Sequence, residues 1–166
     1  MAGWPEERFA EFVAARLPAL VSFGFSLTGD LGHSQDLVQT ALLSVYLRSR
    51  RHVPDSPEAY VRRAVLNAFL SGKRRRRVDE DLVEAVPDAS RTVDLAPFEQ
   101  REQLLHLLED LTPRQRAVLV LRYLEDWPEA HIADALGMSV SAVKKQASRG
   151  MAALREQAGL TREAQP

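Results

Sequence analysis

The stretch Glu129–Arg155, EAHIADALGMSVSAVKKQASRGMAALR, holds two short helical patterns joined by a glycine-centred turn. In the first, Ile132, Ala133 and Leu136 fall on one face. Gly137 supplies a position that tolerates positive φ, and the Ser139 hydroxyl is placed to cap the helix that follows. In the second, Val143, Ala147, Met151 and Leu154 recur at spacings of four, four and three, which is one apolar stripe. The opposite face carries Ser141, Lys144, Lys145, Ser148 and Arg149. A helix with its back in a core and a cationic, hydrogen-bonding front is what a helix-turn-helix lays into the DNA major groove. Outward lysines on an amphipathic helix more often mark a plain solvated surface. Here the small Ala133 stands where two helices would cross, and no acidic residue falls between Leu136 and Glu156. Phosphates would be repelled by a mixed face, but not by this one.

Charge sharpens this reading. The 166-residue chain has a formal net charge of −1, which taken alone argues against a nucleic-acid partner. The distribution reverses that. Residues 1–47 hold 2 basic and 5 acidic side chains, and residues 48–78 hold 10 and 2. Residues 79–113 hold 2 and 10, and residues 114–166 hold 8 and 6. With a screening length of about 8 Å in cell salt, local patches rather than the total decide what such a chain attracts. Hydrophobic content of 45% is that of an ordinary globular protein. The absence of cysteine excludes disulfides and thiolate metal sites. No unbroken apolar run long enough to span a bilayer is present, and Trp4, Glu6, Glu7 and Arg8 interrupt any secretory pattern at the start. No membrane insertion and a cytoplasmic location are expected.

Taken in order, the chain is helical throughout. Phe9, Phe12, Val13, Leu17, Leu20 and Val21 give helical spacing from Glu6 to about Leu27, with Pro18 as a candidate kink and Gly29 as the stop. A second helix is predicted from Leu31 to Ser49, facing inward with Leu37, Val38, Ala41, Leu42, Val45 and Tyr46. Ser56-Pro57-Glu58 starts a third, carrying Tyr60, Val61, Ala64, Val65, Ala68 and Phe69 and running into Lys73-Arg74-Arg75-Arg76-Arg77. Residues 79–97 lose periodicity and read as an acidic linker. A helix is predicted from Phe98 to Glu109, and Thr112-Pro113-Arg114-Gln115 forms a capping box for the next, through Val118, Leu119, Leu121 and Leu124. The fold class is all-α: two small helical domains, 1–78 and 98–160, with a tail at 161–166.

Nothing nominates a reaction. His33, His52, His106 and His131 lie in separate segments, and His33/Asp36 or His131/Asp134 would supply only two ligands, short of a zinc site. No phosphate loop or nucleophile elbow occurs, so neither a cofactor nor an enzymatic role is expected. The basic block says more. Tyr60, Arg62, Arg63 and Asn67 can offer an aromatic plane, guanidinium forks and an amide to unstacked bases, while Lys73, Arg74 and Arg75 meet phosphates.

These residues resemble the extracytoplasmic-function sigma factors, the smallest members of the sigma-70 family, over nearly the whole chain. Leu27-Thr28-Gly29-Asp30 followed by Asp36-Leu37-Val38-Gln39 looks like the family's second conserved region. Pro57-Glu58-Ala59-Tyr60-Val61-Arg62-Arg63 with Asn67 looks like its promoter-melting segment. Leu111-Thr112-Pro113-Arg114-Gln115-Arg116 and the helix-turn-helix look like region four. The resemblance implies that Asp36, Leu37, Val38 and Gln39 dock on the clamp coiled-coil of core RNA polymerase. It implies that the loop from Arg50 through Arg51 and His52 to Ser56 captures an unstacked −10 base, beside Tyr60, Arg63 and Asn67. The helix from Ser139 to Arg149, Ala142 included, would read the −35 element. Promoter DNA and core RNA polymerase are the implied partners, and an anti-sigma factor is held open as a third. Three residues depart from the pattern: Pro128 in place of a capping Ser, Gly32 at a helix start, and Gly150, expected to loosen the end of the recognition helix by about 1 kcal/mol relative to alanine. The leading expectation is a promoter-specificity subunit; the alternative is a stand-alone helix-turn-helix regulator that binds duplex DNA as a dimer.

Overall fold

Three helices build the first part of the chain: α1 (Glu6–Thr28), α2 (Leu31–Arg48) and α3 (Pro57–Asp79). A computed structural model describes residues 3–79, 106–157 and 159, of which 73–79 by backbone alone. Three more α-helices follow among the described residues, α4 (Pro113–Leu119), α5 (Glu129–Leu136) and α6 (Val140–Gln157), with a π-helical turn at Val120–Leu124. No strand occurs among the described residues, so the class is all-α. The chain divides into two compact units, residues 1–69 and 70–166. The expected acidic linker at 79–97, the start of the helix expected at 98–109 and the tail lie outside the described residues, apart from Asp79, which closes α3.

In the first unit the helix boundaries follow local chemistry. Gly29 takes the left-handed conformation (φ 72°) and its N–H donates to the Phe25 carbonyl, closing α1. The next residue opens α2: Asp30 Oδ1 accepts from the His33 N–H at 2.7 Å. Leu27-Thr28-Gly29-Asp30 is therefore a stop and a start in four residues, which offsets the weak helix former Gly32. The core is made by Leu20, Phe23, Leu27, Val38, Val45, Val61, Val65, Leu66 and Phe69, all at most 2% exposed.

Pro18 does not divide α1; the helix is continuous from Glu6 to Thr28. Residues 14–19 all face solvent, so the carbonyl that loses its amide donor can bond to water. Even so, a proline inside a helix lacks one ladder bond. Pro18→Ala is expected to stabilise the chain by about 1–3 kcal/mol, read as a higher denaturation midpoint. By length and composition α1 could cross a membrane. Its apolar residues Leu20, Phe23, Phe25 and Leu27 instead lie in the core of this unit.

In the second unit the capping box is present as predicted. Thr112 Oγ1 accepts from the Gln115 N–H at 3.2 Å, and Gln115 Oε1 accepts from the Thr112 N–H at 3.3 Å. The helix it opens departs from expectation beyond Leu119. Val120–Leu124 widens into a π turn, with the Glu125 N–H donating to the Val120 carbonyl at 3.0 Å. Asp126 then adopts a positive φ of 54°. One extra residue per turn keeps Val120 and Leu121 fully buried while Tyr123 is 52% exposed. Arg116 is 3% exposed, and its Nε and Nη2 have no hydrogen-bond partner among the described residues. Desolvation pushes its pKa below the ordinary value, opposed by the charge of Glu109.

Candidate nucleic-acid interface

The helix-turn-helix closes as its sequence dictates. Gly137 sits at φ 62°, and the Met138 N–H reaches back to the Ala133 carbonyl at 2.9 Å. Ser139 Oγ then accepts from the Ala142 N–H at 3.0 Å, capping α6. Pro128 leaves α5 without a side-chain cap, as expected. Val143 and Ala147 are buried at 0% and 2% exposure, while Met151 and Leu154 are half-buried, so the apolar stripe faces the core.

Gly150 has a different role from the one its sequence suggests. It is buried, and a Cβ there would lie 2.8 Å from Leu119 Cδ1. The missing side chain lets α6 approach α4, so what reads as a weak point in the helix is a contact between two helices.

With its back fixed, α6 turns an exposed face outward: Ser141, Lys144, Lys145, Ser148 and Arg149. Ala142 is half-buried and lies at the edge of this face. Ser139 is exposed, but its hydroxyl is engaged in the cap. Lys144 Nζ lies 3.8 Å from Glu129 Oε2, and Glu129 Oε1 lies 2.8 Å from Arg122 Nη1. Sequence reading missed this cluster because Arg122 precedes the motif and Glu129 reads as an ordinary first-turn acid. It also missed the stack of His131 on Trp127, with ring centroids 4.3 Å apart and planes 4° from parallel. His106, likewise exposed, places Nδ1 3.0 Å from Glu109 Oε1.

The basic helix of the first unit is sorted differently from its sequence. Tyr60, Arg63 and Asn67 are exposed and, at spacings of three and four, share one face of α3. Arg62 does not join them. It is half-buried, with Nη2 3.4 Å from Glu58 Oε1 and its guanidinium carbon 4.9 Å from the centre of the Phe23 ring. Arg16 reaches the same Glu58 carboxylate at 3.5 Å. Arg62 therefore braces α3 against α1 and lies off the face shared by Tyr60, Arg63 and Asn67. Arg50, Arg51 and His52 are exposed on the loop after α2. That loop is held at its base: the Trp4 N–H donates to the Ser49 carbonyl at 2.9 Å, and the Trp4 ring packs on Phe9 and Phe12. The side chains of Lys73, Arg74 and Arg75 lie outside the described residues.

The third candidate set is also divided. Leu37 and Val38 are core residues, 6% and 0% exposed, because they lie on the inner face of α2. Asp36 and Gln39 are exposed and continue through Thr40 into Leu43 and Leu47, which are 60% and 56% exposed. This outward stripe of one acid, two polar groups and two leucines was legible only as leftovers once the inward face had been assigned. Among the described residues no cluster of three or more His, Cys, Asp or Glu is placed to hold a metal.

Two family models match the chain in the same order as its units: sigma-70 region 2 over residues 12–78 and sigma-70 region 4 over residues 101–154. An RNA polymerase sigma-E factor of Streptomyces avermitilis is 37% identical over 153 residues, covering 90% of this chain and 84% of that protein. The chain belongs to the extracytoplasmic-function sigma factors of the sigma-70 family. A sigma-E factor of Streptomyces coelicolor is 35% identical over 151 residues, with 90% and 85% of the two chains covered. Among solved structures, sigma factor RpoE of Bartonella quintana in complex with the anti-sigma factor NepR shares the fold. Its TM-score is 0.65 at 24% identity, covering 93% of this chain and 98% of that one. Mycobacterium tuberculosis SigJ matches with a TM-score of 0.62 at 28% identity, covering 88% of this chain and 52% of that one. As a sigma factor, the chain directs RNA polymerase to promoters, and the reading as a stand-alone regulator is not favoured.

Proposed function

We propose how the work of this sigma factor is divided among its surfaces. α6 reads the −35 element through Ser141, Lys145, Ser148 and Arg149. The observation that carries this reading is an exposed face of cations and hydroxyls on a helix whose opposite side is buried by Val143, Ala147 and Gly150. Lysine and arginine on such a face bond guanine edges or neutralise phosphates, and hydroxyls bond either. Arg50, Arg51 and His52 with Tyr60, Arg63 and Asn67 take an unstacked −10 base, whose extrusion costs a few kcal/mol that protein contacts must offset. Lys73, Arg74 and Arg75 follow the phosphates beyond it. The outward face of α2, from Asp36 to Leu47, docks on the clamp coiled-coil of core polymerase. Residues 1–78 and 98–160 are the two working domains, and 79–97 tether them. The protein acts in the cytoplasm as a non-enzymatic specificity subunit. An anti-sigma factor is a natural further partner, since the Bartonella relative of similar fold is bound to one.

Run-off transcription with core polymerase tests the whole reading. A promoter-dependent product is expected only when the protein is added; tight duplex binding without such a product would overturn it. For the −35 face, Lys145→Ala and Arg149→Ala are each expected to weaken promoter recognition by about 1–3 kcal/mol where a base contact is lost. Where only a phosphate is lost, the salt slope falls by about one unit and sequence preference is kept. Anisotropy titrations at several salt concentrations separate the two.

A further inference from the structure

Glu129 is the first residue of α5, and its carboxylate stands where three positive features converge. One is the N-terminal end of α5, uncapped by any side chain. Another is Arg122, at 2.8 Å. The third is Lys144, at 3.8 Å, on the outward face of the recognition helix. Arg122 lies in turn over the Tyr123 ring, its guanidinium carbon 5.4 Å from the ring centre.

We propose that Glu129 acts as an electrostatic brake on the sequence-independent affinity of the helix-turn-helix, cancelling the attraction of Lys144 for DNA phosphates. This rests on the reading that α6 enters the major groove. Phosphate contacts carry no sequence information, yet they supply nearly all sequence-independent affinity. In a helix-turn-helix the first helix crosses the DNA backbone, so a carboxylate at its start faces the phosphates and repels them. Lys145 and Arg149 form no ion pair among the described residues. They carry binding that base contacts must complete, while Lys144 is kept from adding affinity on any sequence.

The test uses the full chain and two duplexes, one with the −35 segment of a promoter mapped by run-off transcription and one with that segment scrambled. Glu129→Gln keeps the shape of the side chain and removes its charge. Affinity for the scrambled duplex is expected to rise about fivefold near physiological salt, with a salt slope steeper by about one unit, the signature of one additional neutralised phosphate. The mapped duplex should gain no more than the scrambled one. Adding Lys144→Ala should return the slope to its starting value. An unchanged slope in Glu129→Gln, a fall in affinity, or a steep slope that survives Lys144→Ala would each overturn the proposal. Failure of the unmodified protein to distinguish the two duplexes would instead overturn the −35 reading, while the slopes on the scrambled duplex still judge the brake.

Discussion

Asp36→Arg combined with Leu43→Arg is expected to abolish co-purification with core RNA polymerase while leaving the thermal melting of the protein unchanged. Asp36 is exposed and Leu43 is 60% exposed, so neither substitution opens a cavity or buries a charge in the folded chain. Their effect must fall on a partner. An apolar anchor at the centre of an interface typically contributes about 2 kcal/mol or more, and a reversed charge beside it adds a repulsive term of similar size. Together they should weaken association by roughly a thousandfold. Leu37→Ala and Val38→Ala make the contrast. Both residues are buried, so these changes should lower stability by about 1–4 kcal/mol through the core, with polymerase binding kept at temperatures where the protein stays folded. Undiminished recovery of polymerase by the Asp36→Arg/Leu43→Arg protein would remove the docking assignment on α2.

That contrast also shows where the sequence was legible. Periodicity and caps are local properties, so the helix starts at Pro57, Pro113 and Val140 follow from Ser56, Thr112 and Ser139 and their neighbours. The same holds for the left-handed glycines Gly29 and Gly137. What a motif string cannot say is which of its residues face outward. Asp36-Leu37-Val38-Gln39 reads as one unit, yet its inner pair is core and its outer pair surface. Arg62 and Arg63 are adjacent and chemically alike, but one step of 100° around α3 puts the first over Phe23 and the second in solvent. Gly150 and the π turn were missed for a related reason. Gly150 answers to the approach of α4 to α6, and a distance between helices leaves no periodic mark.

Gly24 gives the largest expected effect on stability. It is buried in α1, and a Cβ built there would lie 2.6 Å from Ser34 Oγ on α2. Ser34 is fully buried, and its hydroxyl donates to the Val21 carbonyl at 2.6 Å. The two helices are thus drawn together at a point where one has no side chain and the other has a small one whose hydroxyl is already bonded. Gly24→Val would drive methyl groups into that hydroxyl, forcing the helices apart or breaking the bond. Overpacking of about 1–3 kcal/mol and a lost buried hydrogen bond of about 1 kcal/mol give an expected loss of about 2–4 kcal/mol, read from the denaturation midpoint. Alanine tests the cause more finely. Its better helix propensity returns up to about 1 kcal/mol, so Gly24→Ala should cost less than valine. Ser34→Ala alone should destabilise by about 1 kcal/mol. If the steric conflict is with the hydroxyl, the double substitution must be more stable than the sum of the singles, because the nearest remaining Ser34 atoms lie at 3.5 Å, ordinary contact. Simple additivity would show that the α1–α2 approach does not depend on this pair.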